Sequence, residues 1–335
     1  MKKKDIETII RNIDVDNRLT ANVGTIYYLK FIDYLSQIND VKDLKIKELL
    51  HFDYKKSFFS YNQSISEFMI YFLLKSKRIP FDSEVNKNSA NHSNVDVCFK
   101  YKNISYNFEI KSPEYVIKDN SKLNGGFTHR FGKKEENELM MEKLKQDFEG
   151  HLSFTKYSGV DNSNLTDNKI KDCLLSAQKK FDCPNSNTCN ILFVNTTTSE
   201  LINYWGYIVN SQSGFFNTIS DVGVFINENK KKLSKDDYNK VSAIILSNGI
   251  TLNERMNSNS WDLNNSINIV LTNPFAICNC DNALRRLSEF FPHKTIEFAS
   301  FLIENSILNP DIPQYCFVHS FVSQNGFDLN QEKNK

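Results

Sequence analysis

Apolar and polar positions alternate with a period of two across residues 95–111. Val95, Val97, Phe99 and Tyr101 alternate with Asp96, Cys98 and Lys100. After Lys102-Asn103, Ile104, Tyr106, Phe108 and Ile110 alternate with Ser105, Asn107, Glu109 and Lys111. The pattern predicts two strands of a hairpin, ended by Pro113. A turn centred on Lys102-Asn103 pairs positions whose numbers sum to 205, and all eight apolar residues then share one face. A slip of one residue would move the whole apolar set to the opposite face, so the register is strongly specified.

On either side the period is helical. Ile65, Phe68, Met69, Phe72 and Leu73 predict a helix over 64–77, with Ser64 and Glu67 as a capping box and Pro80 beyond its end. The Asn-rich stretch 82–94 reads as a loop. Ile170, Cys173, Leu174, Ala177 and Phe181 predict a helix over 166–181. Strands are expected at 191–194, 243–246 and 267–271, and helices at 281–290 and 294–306. Ile9, Ile10, Ile13 and the run from Tyr27 to Leu35 predict an N-terminal helical region over 1–58, separate from an α/β unit over 59–335. A short helix is expected near 135–148 in an otherwise polar stretch.

Composition narrows this only slightly. The 335 residues are 40% hydrophobic and 24% charged, with 26 Phe and 14 Tyr, which suits an ordinary globular core. A net charge of +1 gives no histone-like basic surface, although a basic groove and an acidic site can cancel in the total. The seven cysteines lack the two-residue gaps of a structural zinc site and suggest reduced thiols in a cytoplasm. The basic start, Met1-Lys2-Lys3-Lys4, is followed by no apolar run of signal-peptide or membrane-spanning length, so a cytoplasmic chain with no membrane partner is expected.

The hairpin register carries the chemistry. It sets Asp96 opposite Glu109, where Cβ atoms lie about 5 Å apart and two carboxylates repel. A divalent cation would remove that conflict, and Mg²⁺ takes one or two protein carboxylates while leaving room for water and a phosphate. Lys111 lies on the same face as Glu109, two residues on, and can reach a phosphate or an attacking water. Burial and the cation together would lower its pKa toward a base role. Glu-x-Lys alone is a weak signal, since Glu228-Asn229-Lys230 repeats it in a polar stretch, and Lys111 could serve only to neutralise Glu109.

Val95-Asp96 followed by Glu109-Ile110-Lys111 resembles the PD-(D/E)xK phosphodiesterase superfamily, over roughly residues 60–200. The resemblance departs at Val95, where Pro is common, and in the long interval between Lys111 and the next helix. It implies a restriction-endonuclease-like core: a central mixed β-sheet flanked by helices, here with an N-terminal helical region and a C-terminal α/β extension. It implies a Mg²⁺-dependent nuclease, with Mn²⁺ able to substitute, and Asp96, Glu109 and the Ile110 carbonyl as metal ligands. Lys111 would be catalytic. Glu67 falls where family members carry an additional acidic ligand, and it is equally the acid of the capping box. Gln178 falls where members carry a Gln or Lys that approaches the site, with Lys179 and Lys180 as alternative phosphate contacts.

The stretch Gly125–Lys134 mixes His129, Arg130, Lys133 and Lys134 with aromatic and glycine residues, and suits either backbone-phosphate binding or an ordinary exposed loop. His92 is read as a loop histidine and Lys230–Lys232 as a solvated helix start. No Gly-rich phosphate loop, nucleophile elbow or His-Glu-x-x-His motif is present, which leaves kinase, NTPase, serine-hydrolase and zincin readings without residues. The expected substrate is DNA, with RNA an open alternative, in bacterial restriction or antiphage defence. Partners left open are a second copy of the chain and a defence-system protein. The competing expectation is a catalytically silent binding module, or a subunit active only with a partner.

Overall fold

The computed structural model describes residues 58–86, 93–113, 166–209, 214–217, 233–250 and 262–308, with residues 320, 321 and 324. The expected helical region 1–58 and the helix near 135–148 lie outside these residues, apart from Phe58. None of the described helices is long and apolar enough to cross a membrane.

Helix α1 (Phe58–Ser76) starts well before Ser64. Ser64 is therefore inside the helix and not at its N-cap position. Its buried surface is also wider than the expected stripe. Phe68, Met69, Ile70, Tyr71, Leu73 and Leu74 are all 3% exposed or less. A helix apolar on most sides must be covered on most sides.

Strand β1 (Phe81–Asn86) occupies part of the stretch read as a loop. Only Phe81 and Val85 are apolar in it. As an edge strand it pairs with one neighbour, so its sequence carries no strong alternation. Strands β2 (Asn94–Tyr101) and β3 (Ile104–Lys111) form the expected hairpin. Lys102 (φ 47°) and Asn103 (φ 66°) are both left-handed, the conformation of a type I′ turn, whose twist matches that of the flanking strands. Pairs 97–108 through 101–104 follow the expected register.

Helix α2 (Thr166–Lys180) leads to β4 (Thr188–Asn195), and α3 (Thr198–Val209) precedes β5 (Ala243–Ser247). Sequence reading did not anticipate α3. Its buried Leu201, Trp205 and Ile208 do carry helical spacing. Strand β6 (Asn268–Thr272) and helices α4 (Asp281–Leu287) and α5 (Thr295–Leu308) complete the described elements.

The six strands form one mixed sheet in the order β1-β2-β3-β4-β5-β6. Strands β3, β4 and β5 are parallel, and the other neighbours are antiparallel. Parallel neighbours need a crossover, and α2 and α3 lie in those two connections. Both faces of the sheet are covered. One carries α1 and α4, with Phe68, Phe99, Phe108, Phe193 and Phe291 in a continuous core. The other carries α2, α3 and α5, with Ile170, Leu174, Phe181, Leu192 and Trp205. Each fully buried side chain of this kind contributes about 1.5–3 kcal/mol.

Val95 is an exception to the expected apolar face. It packs in the α2 side of the core, whereas Val97, Phe99, Tyr106 and Phe108 pack on the α1 side. The alternation is interrupted between Val95 and Val97, at Asp96.

Helix α1 is fastened to the sheet by polar contacts as well. Asn195 Nδ2 donates to Ser66 Oγ at 2.9 Å, and Ser66 Oγ donates to Asn62 O at 2.6 Å. Gly249 packs against this junction, where an added Cβ would lie 2.5 Å from Met69 Cε and 2.7 Å from Asn195 Oδ1. Both neighbours are fully buried. Gly249→Ala is therefore expected to lower the unfolding free energy by about 1–3 kcal/mol in urea titrations. An unchanged midpoint would show that Met69 moves aside without cost.

Candidate active site at the splayed strand ends

The β2–β3 ladder stops at Val97 and Phe108. Continued in register, Val95 and Ile110 would be the next pair to exchange backbone hydrogen bonds. Two side chains take their place. Asp96 Oδ2 accepts the Ile110 N–H at 2.7 Å. Gln63 Nε2, from α1, donates to Ile110 O at 2.9 Å. Gln63 Oε1 also accepts the Ser112 N–H at 2.9 Å. The strand ends splay apart, and Asp96 and Gln63 stitch the gap. The expected flat pairing of Asp96 with Glu109 does not form, because the Asp96 side chain has taken over the ladder bond at Ile110. The same splay sends Val95 to the other side of the sheet.

Glu109 immediately precedes Ile110 on β3. Its partner across the parallel β3–β4 pairing is Leu192, and that of Lys111 is Val194, so both face the α2 side. Its side chain is 0% exposed. Lys111 Nζ and Lys180 Nζ each lie 2.7 Å from Glu109 Oε1. Lys180 Nζ also lies 3.6 Å from Asp96 Oδ1. One ammonium thus bridges the two carboxylates. Glu109 Oε2 is buried with no hydrogen-bond partner. An orphaned carboxylate oxygen costs stability unless something else occupies it.

The electrostatics follow from burial. Glu109 is pushed up to about 7, first by loss of water and then by the Asp96 charge, against the pull of Lys111 and Lys180. Asp96 is also raised by burial, opposed by Lys180 and by the Ile110 N–H. Burial works to lower Lys111, but its ion pair with Glu109 outweighs that and holds it above its ordinary value. Without a bound cation, Lys111 therefore stays charged. Lys111 and Lys180 both offset the carboxylate repulsion, the neutralising role that the sequence left open for Lys111.

Asp96, Glu109 and Lys111 are brought together as the sequence predicts. Glu67 is tied to the site through Gln63, whose Nε2 donates to Glu67 Oε1 at 3.1 Å. Gln178 goes elsewhere. Its Nε2 donates to Asp236 O and Asn239 Oδ1, both at 3.0 Å, and its Oε1 accepts the Lys240 N–H at 2.8 Å. It pins the 3-10 turn Lys235–Tyr238 and takes no part in the carboxylate cluster. Lys180, two positions on and about 200° around the helix, reaches the carboxylates instead. The loop Gly125–Lys134, His92 and Lys230–Lys232 lie outside the described residues.

Sequence reasoning missed Gln63 and Glu84. Ladder pairs Ser83–Val97 and Val85–Val95 flank Glu84 and set it across from Asp96, whose ionisation its charge opposes. Its φ of 54° is left-handed, which costs a non-glycine residue about 1–2 kcal/mol. No signal in the local sequence marks that conformation.

Among the described residues no group of three or more His, Cys, Asp or Glu is arranged to hold a metal ion. Two carboxylates, one with a vacant oxygen, are still the protein share that Mg²⁺ ordinarily takes. No family model, curated protein or solved structure matches this chain.

The Glu109 environment has a measurable consequence. Its midpoint of about 7 in the folded protein exceeds the ordinary 4.5, so the folded state holds more protons between those values. Stability then falls as pH rises through that window and levels off above it, by about 3 kcal/mol in total. Urea titrations of the protein in EDTA are expected to show this fall, and Glu109→Gln to remove it. Parallel pH profiles for the two proteins would mean that Glu109 ionises as an ordinary glutamate.

Proposed function

We propose that the chain is a Mg²⁺-dependent nuclease with a restriction-endonuclease-like core, acting on DNA in bacterial restriction or antiphage defence. The observation that carries this reading is Glu109: a fully buried carboxylate with an unpartnered Oε2, beside Asp96 and two lysine ammonium groups at splayed strand ends. An ordinary structural ion cluster would use both oxygens. The words DNA and defence come from the family resemblance of Asp96 and Glu109-Ile110-Lys111, and not from a residue.

The orphaned oxygen fits a divalent cation. Asp96 and Glu109 would hold it, with the Ile110 carbonyl and Glu67 as the further ligands that the resemblance implies, and with Mn²⁺ able to substitute for Mg²⁺. When bound, it supplies Lewis-acid stabilisation of phosphoryl oxygens and acidifies the attacking water. Lys111, kept charged by Glu109, faces the negative charge that develops on the phosphate and stabilises it. Lys180 adds a second positive charge beside the same carboxylates. Both carboxylates lose part of their lysine neutralisation as the phosphate draws those ammonium groups away, which strengthens their hold on a cation.

The balance of two carboxylates by two lysines also favours a second reading, a silent binding module that needs no metal. Cleavage assays separate them. Plasmid, linear DNA, single-stranded DNA and RNA are incubated with the protein in Mg²⁺, Mn²⁺ or EDTA. Cleavage is expected with either metal and none in EDTA. Asp96→Ala, Glu109→Gln and Lys111→Ala are each expected to lower the rate by about 10²–10³-fold, the scale of losing one stabilising group. Cleavage that survives Asp96→Ala or Lys111→Ala removes the site assignment. Binding of nucleic acid without cleavage of any substrate selects the silent module.

A further inference from the structure

The carboxamide of Gln63 uses every hydrogen-bonding group it has at one point of the fold. Its two Nε2 hydrogens go to Ile110 O at 2.9 Å and to Glu67 Oε1 at 3.1 Å. Its Oε1 takes the Ser112 N–H at 2.9 Å. Bonds to Ile110 O and Ser112 N are those that a parallel strand residue would make opposite Lys111. The side chain of α1 thus supplies the backbone partner that the splayed β2 withdraws.

The two oxygens on Nε2 are hard oxygen donors of the kind that hold Mg²⁺ or Mn²⁺. One is a backbone carbonyl one residue from Glu109, and the other is a carboxylate from a different element. Nε2 is the positive end of the amide dipole, and it draws both oxygens to a single point. We propose that Gln63 is a placeholder for a divalent cation: its amide hydrogens gather Ile110 O and Glu67 in the metal-free protein and are displaced when the cation arrives. This rests on the nuclease reading above and adds a positioning residue to it.

The chemistry makes the two occupants exclusive. A cation held by both oxygens needs the space that Nε2 fills, and would stand against two hydrogens of partial positive charge. Metal loading must therefore break those two bonds, and their free energy is subtracted from the apparent affinity. Release of Gln63 also frees the Ser112 N–H, so the strand end beyond Lys111 gains freedom as the cation binds.

Mn²⁺ binding, followed by electron paramagnetic resonance of the free ion without any nucleic acid, tests this apart from activity. Removing the amide in Gln63→Leu is expected to tighten Mn²⁺ binding by about 30-fold, the net worth of about two hydrogen bonds. Gln63→Glu keeps an oxygen for the Ser112 N–H and replaces the amide donor with a further acid, so it is expected to tighten binding at least as much. It decides the matter if Gln63→Leu does not fold. Equal or weaker Mn²⁺ binding in the folded variant overturns the placeholder, while leaving the nuclease reading intact if Glu109→Gln abolishes binding. No Mn²⁺ binding by the unaltered protein overturns both.

Discussion

The hydrogen bond from the Ile110 N–H to the Asp96 carboxylate, 2.7 Å long, is the contact on which the site depends. A hairpin with a tight type I′ turn and a fully specified apolar register would normally zip to its end. Here a side chain outbids the backbone one residue past Val97. The ladder stops, β2 departs toward β1, and Val95 crosses to the other side of the sheet. The ends of β2 and β3 are left apart, with the Gln63 amide filling the remaining gap. A break in the sheet pairing, where the ladder would otherwise continue, accompanies this one carboxylate-to-backbone bond.

Burial then sets the electrostatics of that break. Glu109 lies on a strand with neighbours on both sides and helices on both faces, so it cannot keep a hydration shell. The sheet places Asp96 close enough to raise it further. Lysines from the same strand and from α2 partly offset this, but both pair with one oxygen. The second oxygen is left without a partner in a dry environment. Such a group is costly in a purely structural cluster and useful in a binding one. The strained backbone of Glu84, across from Asp96, belongs to the same pattern of local cost at one place in the fold.

Much of this is legible in the sequence because it is local. The turn and the alternation are set by neighbours a few residues apart, and the hairpin forms in the predicted register from the turn as far as Val97 and Phe108. The mixed sheet with flanking helices is what the family resemblance implies, and the order of patterned segments is compatible with it. What the sequence does not disclose is tertiary. Gln63 is one of several polar residues in the first half of α1, and its partner Ile110 is 47 positions away. Edge strand β1 has too few apolar residues to announce itself. Choosing Lys180 over Gln178 required the rotational phase of α2 relative to the sheet, which amphipathicity alone sets only to within a residue or two. The interruption at Asp96 was invisible for a different reason: a register argument assumes that every polar side chain leaves the backbone ladder alone.

The central claim is that the splayed strand ends are built to receive a divalent cation between Asp96 and Glu109. Anomalous diffraction from crystals soaked in Mn²⁺ tests it most directly. The account predicts one strong peak within bonding distance of Asp96 and of Glu109 Oε2. Well-ordered crystals with no peak there, and with Lys111 and Lys180 still seated on Glu109, would contradict it.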